Sequence, residues 1–192
     1  MSHPIDYYFS PISPFTLLAG HLLEQEAPQE IHYHPFDIAR VFGATGGVPV
    51  PQRSEQRQAY RIAELKRISR DRNININLTP AFFPVDSRPA CRLILAARDA
   101  GLNTGKLAFN VLSAVWQRDL NIADLATLRT LLIESSMDES LVDISLGLDA
   151  QLDAETDAAI TAGVFGSPFY IVNDEPFWGQ DRLEAALNAA KN

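Results

Sequence analysis

The chain has 192 residues, 46% of them hydrophobic, which is enough to bury a full core as one domain or as one domain with a sizeable insertion. Its 24 acidic and 16 basic residues give a formal net charge of −8, which disfavours binding to nucleic acid or to an anionic membrane surface. No segment approaches the roughly 20 consecutive apolar residues of a transmembrane helix.

Two features favour a cytoplasmic protein. The first 15 residues have neither the basic segment nor the continuous apolar segment of a secretory signal. The single cysteine, Cys91, lies in the apolar-periodic run PACRLILAARDA, so we expect it to be buried on a helix and to form no internal disulfide.

The N-terminal segment predicts a β-α-β unit. Residues 5–10 (IDYYFS) and 30–38 (EIHYHPFDI) are rich in aromatic and β-branched residues, as strands are. Between them, residues 14–26 predict a helix that begins at Pro14. The crossover rule makes the two strands parallel. The Gly- and Pro-rich residues 39–52 predict a long loop rather than an element.

From Ser54 to about Ala162 the pattern is helical, and strand-like alternation almost disappears. Asp124 is a typical helix cap, and Gly101 and Gly163 are typical helix ends. The predicted helical segments cover residues 54–72, 87–101, 105–119, 122–136 and 154–163.

Strands return near the C-terminus, where residues 167–174 and 175–179 predict a hairpin and residues 180–192 a final amphipathic helix. The complete order is β-α-β, a helical block, then β-β-α. This is the connectivity of an α/β thioredoxin-like fold with an all-helical domain inserted between its two halves. We therefore assign residues 1–40 and 163–192 to the thioredoxin-like domain, and residues 41–162 to the insertion with its connecting loop.

The reactive centre of a thioredoxin fold lies where the first strand meets the first helix, and that junction reads Ser13-Pro14-Phe15-Thr16. Redox members need two cysteines at this spacing, so the two hydroxyls here exclude disulfide chemistry. The Ser13 hydroxyl suits two roles. It caps the helix, or it donates a hydrogen bond to the thiolate of a bound ligand such as glutathione and thereby lowers the pKa of that thiol.

Two further segments suit a peptide-like ligand. Ser167-Pro168 precedes a predicted strand, at the place where a thioredoxin fold has a cis-proline that leaves the backbone N–H and C=O of Ser167 free. Gln180 and Asp181 open the last predicted helix, where N–H groups suit a carboxylate and the Asp181 side chain suits an ammonium group. A γ-glutamyl group carries both charges. The alternative is that Asp181 is only a helix-start residue.

The chain resembles the 2-hydroxychromene-2-carboxylate isomerases and the kappa-class glutathione transferases, within the DsbA-like thioredoxin superfamily. The resemblance implies that Ser13 supports the glutathione thiolate, that Ser167 and Pro168 hold the cysteinyl part, and that Asp181 with Gln180 recognises the γ-glutamyl end. It also implies a homodimer. The segments that carry it span essentially the whole chain and read DYYFSPISPFTLLA, AYRIAELKRISR, PAFFPVDSRPA, VLSAVW, GVFGSPFYIV and FWGQDRLEAAL.

The resemblance further implies a glutathione-dependent cis-trans isomerase of a small aromatic carboxylate. Reversible addition of the thiolate would interconvert 2-hydroxychromene-2-carboxylate and trans-o-hydroxybenzylidenepyruvate. The site then needs a slot for an aromatic ring and a group that holds a carboxylate. Core packing is the competing interpretation for the aromatic candidates, and surface solvation for the basic ones. The candidates are Phe83 and Trp116, with Phe42 and Phe82, for the ring, and Arg88 and Arg92 for the carboxylate.

Some positions depart from the family pattern. Tyr60, Glu64 and Arg67 fit its Tyr, acidic, Arg pattern, with Glu64 in place of an aspartate. Gly47 and Asp86 stand where many members have asparagine, which bears on the choice of substrate. The alternatives are a kappa-like transferase that consumes glutathione and a non-catalytic thioredoxin-like binding protein. The histidines show no metal-binding pattern.

Overall fold

The computed structural model describes residues 2–192 and, within that range, contains one four-stranded sheet in the order β2-β1-β3-β4. The strand β1 is parallel to β2 and antiparallel to β3, and β3 is antiparallel to β4. The predicted thioredoxin-like connectivity is therefore confirmed. The strands are β1 (Ile5–Phe9), β2 (Ile31–Pro35), β3 (Phe169–Val172) and β4 (Glu175–Trp178).

Helices account for most of the segment between the two halves of the sheet, as predicted. No helix of the described residues is long and apolar enough to cross a membrane. A short 3-10 turn covers Val50–Gln52. The helices are α1 (Pro14–Ala19), α2 (Leu22–Glu26), α3 (Ile38–Thr45), α4 (Glu55–Arg72), α5 (Arg88–Asp99), α6 (Thr104–Trp116), α7 (Leu125–Glu134), α8 (Leu141–Ser145), α9 (Asp149–Thr161) and α10 (Leu183–Ala190).

The prediction of one helix over residues 14–26 is wrong. The chain forms α1 and α2 instead, because Gly20 adopts a φ of +70° that a helix cannot continue through. The N–H of Gly20 donates to the carbonyl of Leu17 at 3.0 Å and closes the first helix.

The prediction of a structureless loop over residues 39–52 is also wrong, because α3 occupies its first half. Asp37 caps this helix, with one carboxylate oxygen accepting from the N–H groups of Ala39 at 2.9 Å and Arg40 at 3.4 Å. On the inner side of the helix, Val41 is fully buried.

The predicted helix ends in the insertion are confirmed. Gly101 and Gly163 have φ values of +67° and +84° just after α5 and α9, and Asp124 accepts from the N–H of Thr127 at 2.9 Å at the start of α7. The sequence analysis missed α8, whose five residues are too few to show a period, and the first turn of α9.

The largest cluster of buried side chains joins the sheet to the insertion. On the sheet side, the ring of Tyr7 stacks on those of Phe9 and Tyr170, with centroids 4.8 and 5.2 Å apart. On the insertion side, the cluster includes Leu93 and Trp116. One continuous core therefore supports the junction that carries Ser13.

Cys91 is fully buried on α5, as predicted, and its thiol lies 3.5 Å from the carbonyl of Phe36. Burial raises the pKa of this thiol, so it stays protonated at neutral pH. A protonated and buried thiol is a poor nucleophile, and Cys91 has no place in the chemistry considered below.

A partly buried group of charged side chains that joins β2, α5 and α9 makes the stability depend on pH. The Glu155 carboxylate accepts from His34 at 3.1 Å and from Arg98 at 2.7 Å. Burial alone would raise the pKa of Glu155, but these two hydrogen bonds outweigh it and lower the pKa to about 2. The stabilisation is therefore present above the unfolded pKa of about 4.3 and is lost as the pH falls towards 2.

Replacement of Glu155 by glutamine is expected to lower the free energy of unfolding by about 1 kcal/mol at pH 7. The loss should shrink as the pH falls from about 4.5 towards 2, because the carboxylate of the unfolded chain is protonated over that interval while the native carboxylate stays ionised. Denaturant unfolding at a series of pH values measures this. Glu175→Gln, at an exposed position without an ion pair among the described residues, is the control. A loss of the same size at pH 7 and pH 3 would contradict the assignment.

Candidate functional site

Ser13 caps α1 and also contacts the opposite half of the fold. Its hydroxyl oxygen accepts from the N–H of Thr16 at 3.3 Å, and Pro14 is the first helical residue, as the sequence predicts. The same hydroxyl donates to the backbone carbonyl of Ser167 at 3.0 Å. Ser13 therefore joins the strand-to-helix junction to the segment before β3.

The Ser167-Pro168 peptide bond is cis, which confirms that prediction. The hydroxyl oxygen of Ser167 accepts from the N–H of Ser10 at 2.8 Å and lies 2.8 Å from the hydroxyl of Thr16. Three side-chain hydrogen bonds thus tie the cis-proline segment to the junction. Thr16 was overlooked as part of this link, although it stands where redox members have their second cysteine.

One detail of the prediction for Ser167 is wrong. Its carbonyl is not free, because the Ser13 hydroxyl donates to it. Its N–H, in contrast, has no hydrogen-bond partner within residues 2–192. A ligand amide that donates to this carbonyl would release the Ser13 hydroxyl for another acceptor.

A cleft of about 480 Å³ lies between α4 and the segments that flank β3 and β4. Its size suits a small-molecule ligand, since such pockets typically measure about 300–1,000 Å³. Ser167, Gln180 and Asp181 line it, and Ser13 adjoins it through its bond to Ser167. The structure therefore brings the predicted glutathione-binding segments together around one cavity.

The α4 side of the cleft is strongly basic, which the sequence analysis did not identify. Arg53, Arg57 and Arg61 all line it. Arg57 and Arg61 are four residues apart on α4, which places their side chains on one helix face, and Arg53 lies two residues before the helix begins. Burial, together with the positive charge of Arg53, lowers the pKa of Arg61 to about 10. Such a concentration of positive charge in an acidic protein favours an anionic ligand.

Glu64 also lines the cleft but does not neutralise these arginines. It forms an ion pair with Arg67, and hydrogen bonds from Tyr60 and then Arg67 lower the pKa of its carboxyl. The Tyr, acidic, Arg pattern noted in the sequence is thus a mutually hydrogen-bonded group on α4, and two of its members, Tyr60 and Glu64, line the cleft.

Gln180 and Asp181 do not open the last helix, which is a correction. They lie in a turn, and α10 begins at Leu183. The guanidinium of Arg72 on α4 donates to the carbonyl of Gln180 at 2.9 Å and to that of Ala19 at 3.1 Å, which fixes the turn against the helix. Among the described residues, the Asp181 carboxylate pairs only with its exposed neighbour Arg182, at 3.2 Å, so it is accessible to a cationic ligand group.

Trp116 belongs to the core and does not line the cleft. Its side chain is fully buried, its indole N–H donates to the carbonyl of Ile12 at 3.3 Å, and its ring packs on Phe83 with centroids 4.7 Å apart. Phe83 is partly buried against the same core. The prediction that these two rings form an open substrate slot is therefore wrong for Trp116.

Arg88 is also not placed to hold a substrate carboxylate. It lies away from the cleft, and its guanidinium donates to Asp149 and Asp153 at 3.0 Å and to Asp37 at 3.3 Å. The hydrogen bond to Asp149 and the other carboxylates hold its pKa above the usual range. Arg92 pairs with Asp149 in the same network.

Gly47 and Asp86, the departures that bear on the choice of substrate, have structural explanations. A Cβ atom at Gly47 would lie 2.3 Å from the ring of Phe42, so a side chain there requires that ring to move. Asp86 accepts from the N–H of Arg88 at 2.9 Å and thereby caps α5. Neither residue lines the cleft.

Replacement of Trp116 by phenylalanine is expected to act on stability and to leave the affinity for an aromatic ligand nearly unchanged. The variant loses the bond to Ile12 and part of the buried ring, which should cost about 1 kcal/mol. Thermal unfolding and a ligand titration on the same samples separate the two effects. Loss of ligand affinity without loss of stability would show that Trp116 takes part in binding and would contradict its assignment to the core.

The comparisons with known proteins agree with this architecture. The model of the DsbA-like thioredoxin domain matches residues 4–191. A 2-hydroxychromene-2-carboxylate isomerase from Pseudomonas sp. (strain C18) is 32% identical, over 96% of this chain and 89% of that relative. One from Pseudomonas putida is 31% identical, over 93% and 90%.

A solved structure of a 2-hydroxychromene-2-carboxylate isomerase superposes with a TM-score of 0.82 at 26% identity, covering 98% of this chain and 94% of that one. The agreement thus extends over nearly the full length in both sequence and fold. The chain therefore belongs to the DsbA-like thioredoxin domain family and, within it, to the family of the 2-hydroxychromene-2-carboxylate isomerases.

Proposed function

We propose that the protein is a glutathione-dependent isomerase that interconverts 2-hydroxychromene-2-carboxylate and trans-o-hydroxybenzylidenepyruvate. One observation carries the proposal. The Ser13 junction, the cis-proline segment and the Gln180-Asp181 turn meet around a single arginine-lined cleft, in a chain whose junction has no cysteine. The names of the relatives supply the reaction.

The donor and acceptor groups of the cleft fit glutathione. The Asp181 carboxylate would pair with its ammonium group, and the unpartnered N–H of Ser167 would donate to its cysteinyl carbonyl. Arginines on α4 would hold its carboxylates. The cleft volume of about 480 Å³ leaves room for a small aromatic acid beside the tripeptide.

Ser13 would support the ionised thiol. Its hydroxyl donates to the Ser167 carbonyl. A cysteinyl N–H that takes over this carbonyl would leave the Ser13 hydroxyl free to donate to the sulfur. A hydrogen bond to the charged form of a group lowers its pKa, so Ser13 would favour the thiolate at neutral pH.

Glutathione supplies, when bound, a thiolate whose reversible addition to the conjugated alkene turns a double bond into a single bond that rotates easily. The protein stabilises the negative charge on the sulfur through Ser13 and holds the anionic substrate against the basic wall of the cleft. Since the thiolate is returned, the isomerase leaves glutathione unspent, whereas a kappa-like transferase consumes it.

Titration of the protein with glutathione tests the thiol chemistry, with the ultraviolet absorbance of the thiolate followed as a function of pH. The proposal predicts a bound thiol whose pKa lies well below the value of about 8.5 for a free cysteine thiol. If the chain is instead a non-catalytic thioredoxin-like binding protein, glutathione should bind without a change in the pKa of its thiol. Absence of binding would remove glutathione from the account.

A further inference from the structure

The guanidinium of Arg61 is buried in the wall of the cleft and has no hydrogen-bond or ion-pair partner among the described residues. The residue is only 8% exposed, and its Nη2 atom has no hydrogen-bond partner in the part of the chain that the structure describes. None of the ion pairs found there involves Arg61 either. Buried charged groups usually have partners, because the cost of removing them from water is otherwise not offset.

The surroundings of Arg61 compensate this charge only in part. The guanidinium carbon lies 5.4 Å from the ring centre of Phe83 and 5.6 Å from that of Trp116, within the range of cation–π contacts. Ring faces attract the cation but accept few of its N–H groups. Burial and, to a smaller extent, the positive charge of Arg53 lower the pKa of Arg61 to about 10. An anionic ligand would supply the missing acceptor.

Arg61 lies towards the Ser13 end of the cleft. The indole of Trp116, on which its guanidinium rests, donates to the carbonyl of Ile12, the residue before Ser13. The γ-glutamyl end of glutathione is assigned above to the Gln180-Asp181 turn. Of the arginines that line the cleft, Arg57 is exposed and Arg61 is buried, so Arg61 suits the ligand group that lies deepest in the cleft.

We propose that Arg61 binds a carboxylate inside the cleft and that this carboxylate belongs to the aromatic 2-oxo acid substrate. The assignment rests on the proposed function. The guanidinium would hold the carboxylate by paired N–H donors while its other face stays on Phe83 and Trp116. The glycyl carboxylate of glutathione has the same chemistry and is the other possible source, with Arg53 and Arg57 available to it.

The test uses binding rather than turnover. Calorimetric titration with trans-cinnamate and its uncharged amide, both in the presence of S-methylglutathione, compares two ligands that differ in the carboxylate. We expect the wild-type protein to prefer cinnamate by about tenfold or more, and Arg61→Met to abolish this preference. Arg61→Lys should keep part of it. Arg70→Gln, at an exposed position on the same helix, is the matched control and should bind as the wild type does.

Three results would overturn the proposal: no preference for cinnamate in the wild type, an undiminished preference in Arg61→Met, or a loss in Arg61→Met confined to the affinity for glutathione. The third result would mean that the carboxylate bound by Arg61 belongs to glutathione. Thermal unfolding checks that Arg61→Met is folded, since its apolar side chain still packs on both rings. If Arg61→Met does not fold, Arg61→Lys is used for the same comparison. A wild type that prefers cinnamate but does not isomerise the chromene would refute the proposed function alone.

Discussion

Replacement of Ser13 by alanine is expected to lower kcat/KM about 100-fold at neutral pH, because the bound thiolate loses the hydroxyl that donates to it. The loss should shrink as the pH rises, since the thiol of glutathione then ionises without assistance. A pH–rate profile of both proteins measures this, and the rise of the profile should move to higher pH in the variant. Ser13→Thr, which keeps a hydroxyl, should retain most of the activity.

A matched variant separates chemistry from helix capping. Asp124 caps α7 by accepting from the N–H of Thr127, and it does not line the cleft. Asp124→Ala should therefore cost about 1 kcal/mol of stability, as is typical of a lost cap, and leave the rate unchanged. If Ser13→Ala resembles Asp124→Ala in both measurements, Ser13 is only a cap.

Replacement of Asp181 by asparagine is expected to raise the Kd of glutathione about 10- to 100-fold while kcat changes little. The carboxylate is exposed on the Gln180-Asp181 turn, and within residues 2–192 it forms an ion pair with Arg182 alone, so its charge is available to the ligand ammonium. The interaction is equally strong before and during the reaction, which is why it should appear in binding alone. Calorimetry and steady-state kinetics give the two values.

A glutathione analogue without the ammonium group provides the second half of this test. The wild-type protein should bind the analogue as weakly as Asp181→Asn binds glutathione, and the variant should not discriminate between the two ligands. Asp174→Asn is the control, because that residue is exposed in the turn before β4 and has a φ of +65° that asparagine also accepts. Equal affinity of the wild type for both ligands would contradict the role of Asp181.

The connectivity of the fold was predictable because strands and helices differ in period and because Gly and Asp mark their ends. Gly101, Gly163 and Asp124 gave the correct boundaries for this reason. The helix α3 was missed because Gly43, Gly46 and Gly47 give its segment the composition of a loop. The burial of Val41 and the cap by Asp37 outweigh that local preference.

The grouping of the candidate residues was predictable where it depends on fold position. Ser13, Ser167 and Asp181 each stand at a known place in a thioredoxin fold, and they meet around one cleft. The roles of charged and aromatic side chains within the insertion were not predictable, because they depend on partners that are distant in sequence. Arg88 meets carboxylates from α9, and Arg61 meets rings from the segment before α5 and from α6.

The central claim is that the cleft performs a glutathione-dependent isomerisation. The most direct measurement follows the spectrum of 2-hydroxychromene-2-carboxylate with the purified protein, with and without glutathione, and counts free thiol after many turnovers. We predict conversion to trans-o-hydroxybenzylidenepyruvate that requires glutathione and leaves every thiol unspent. Loss of one thiol for each substrate converted, conversion without glutathione, or no conversion at all would contradict the account.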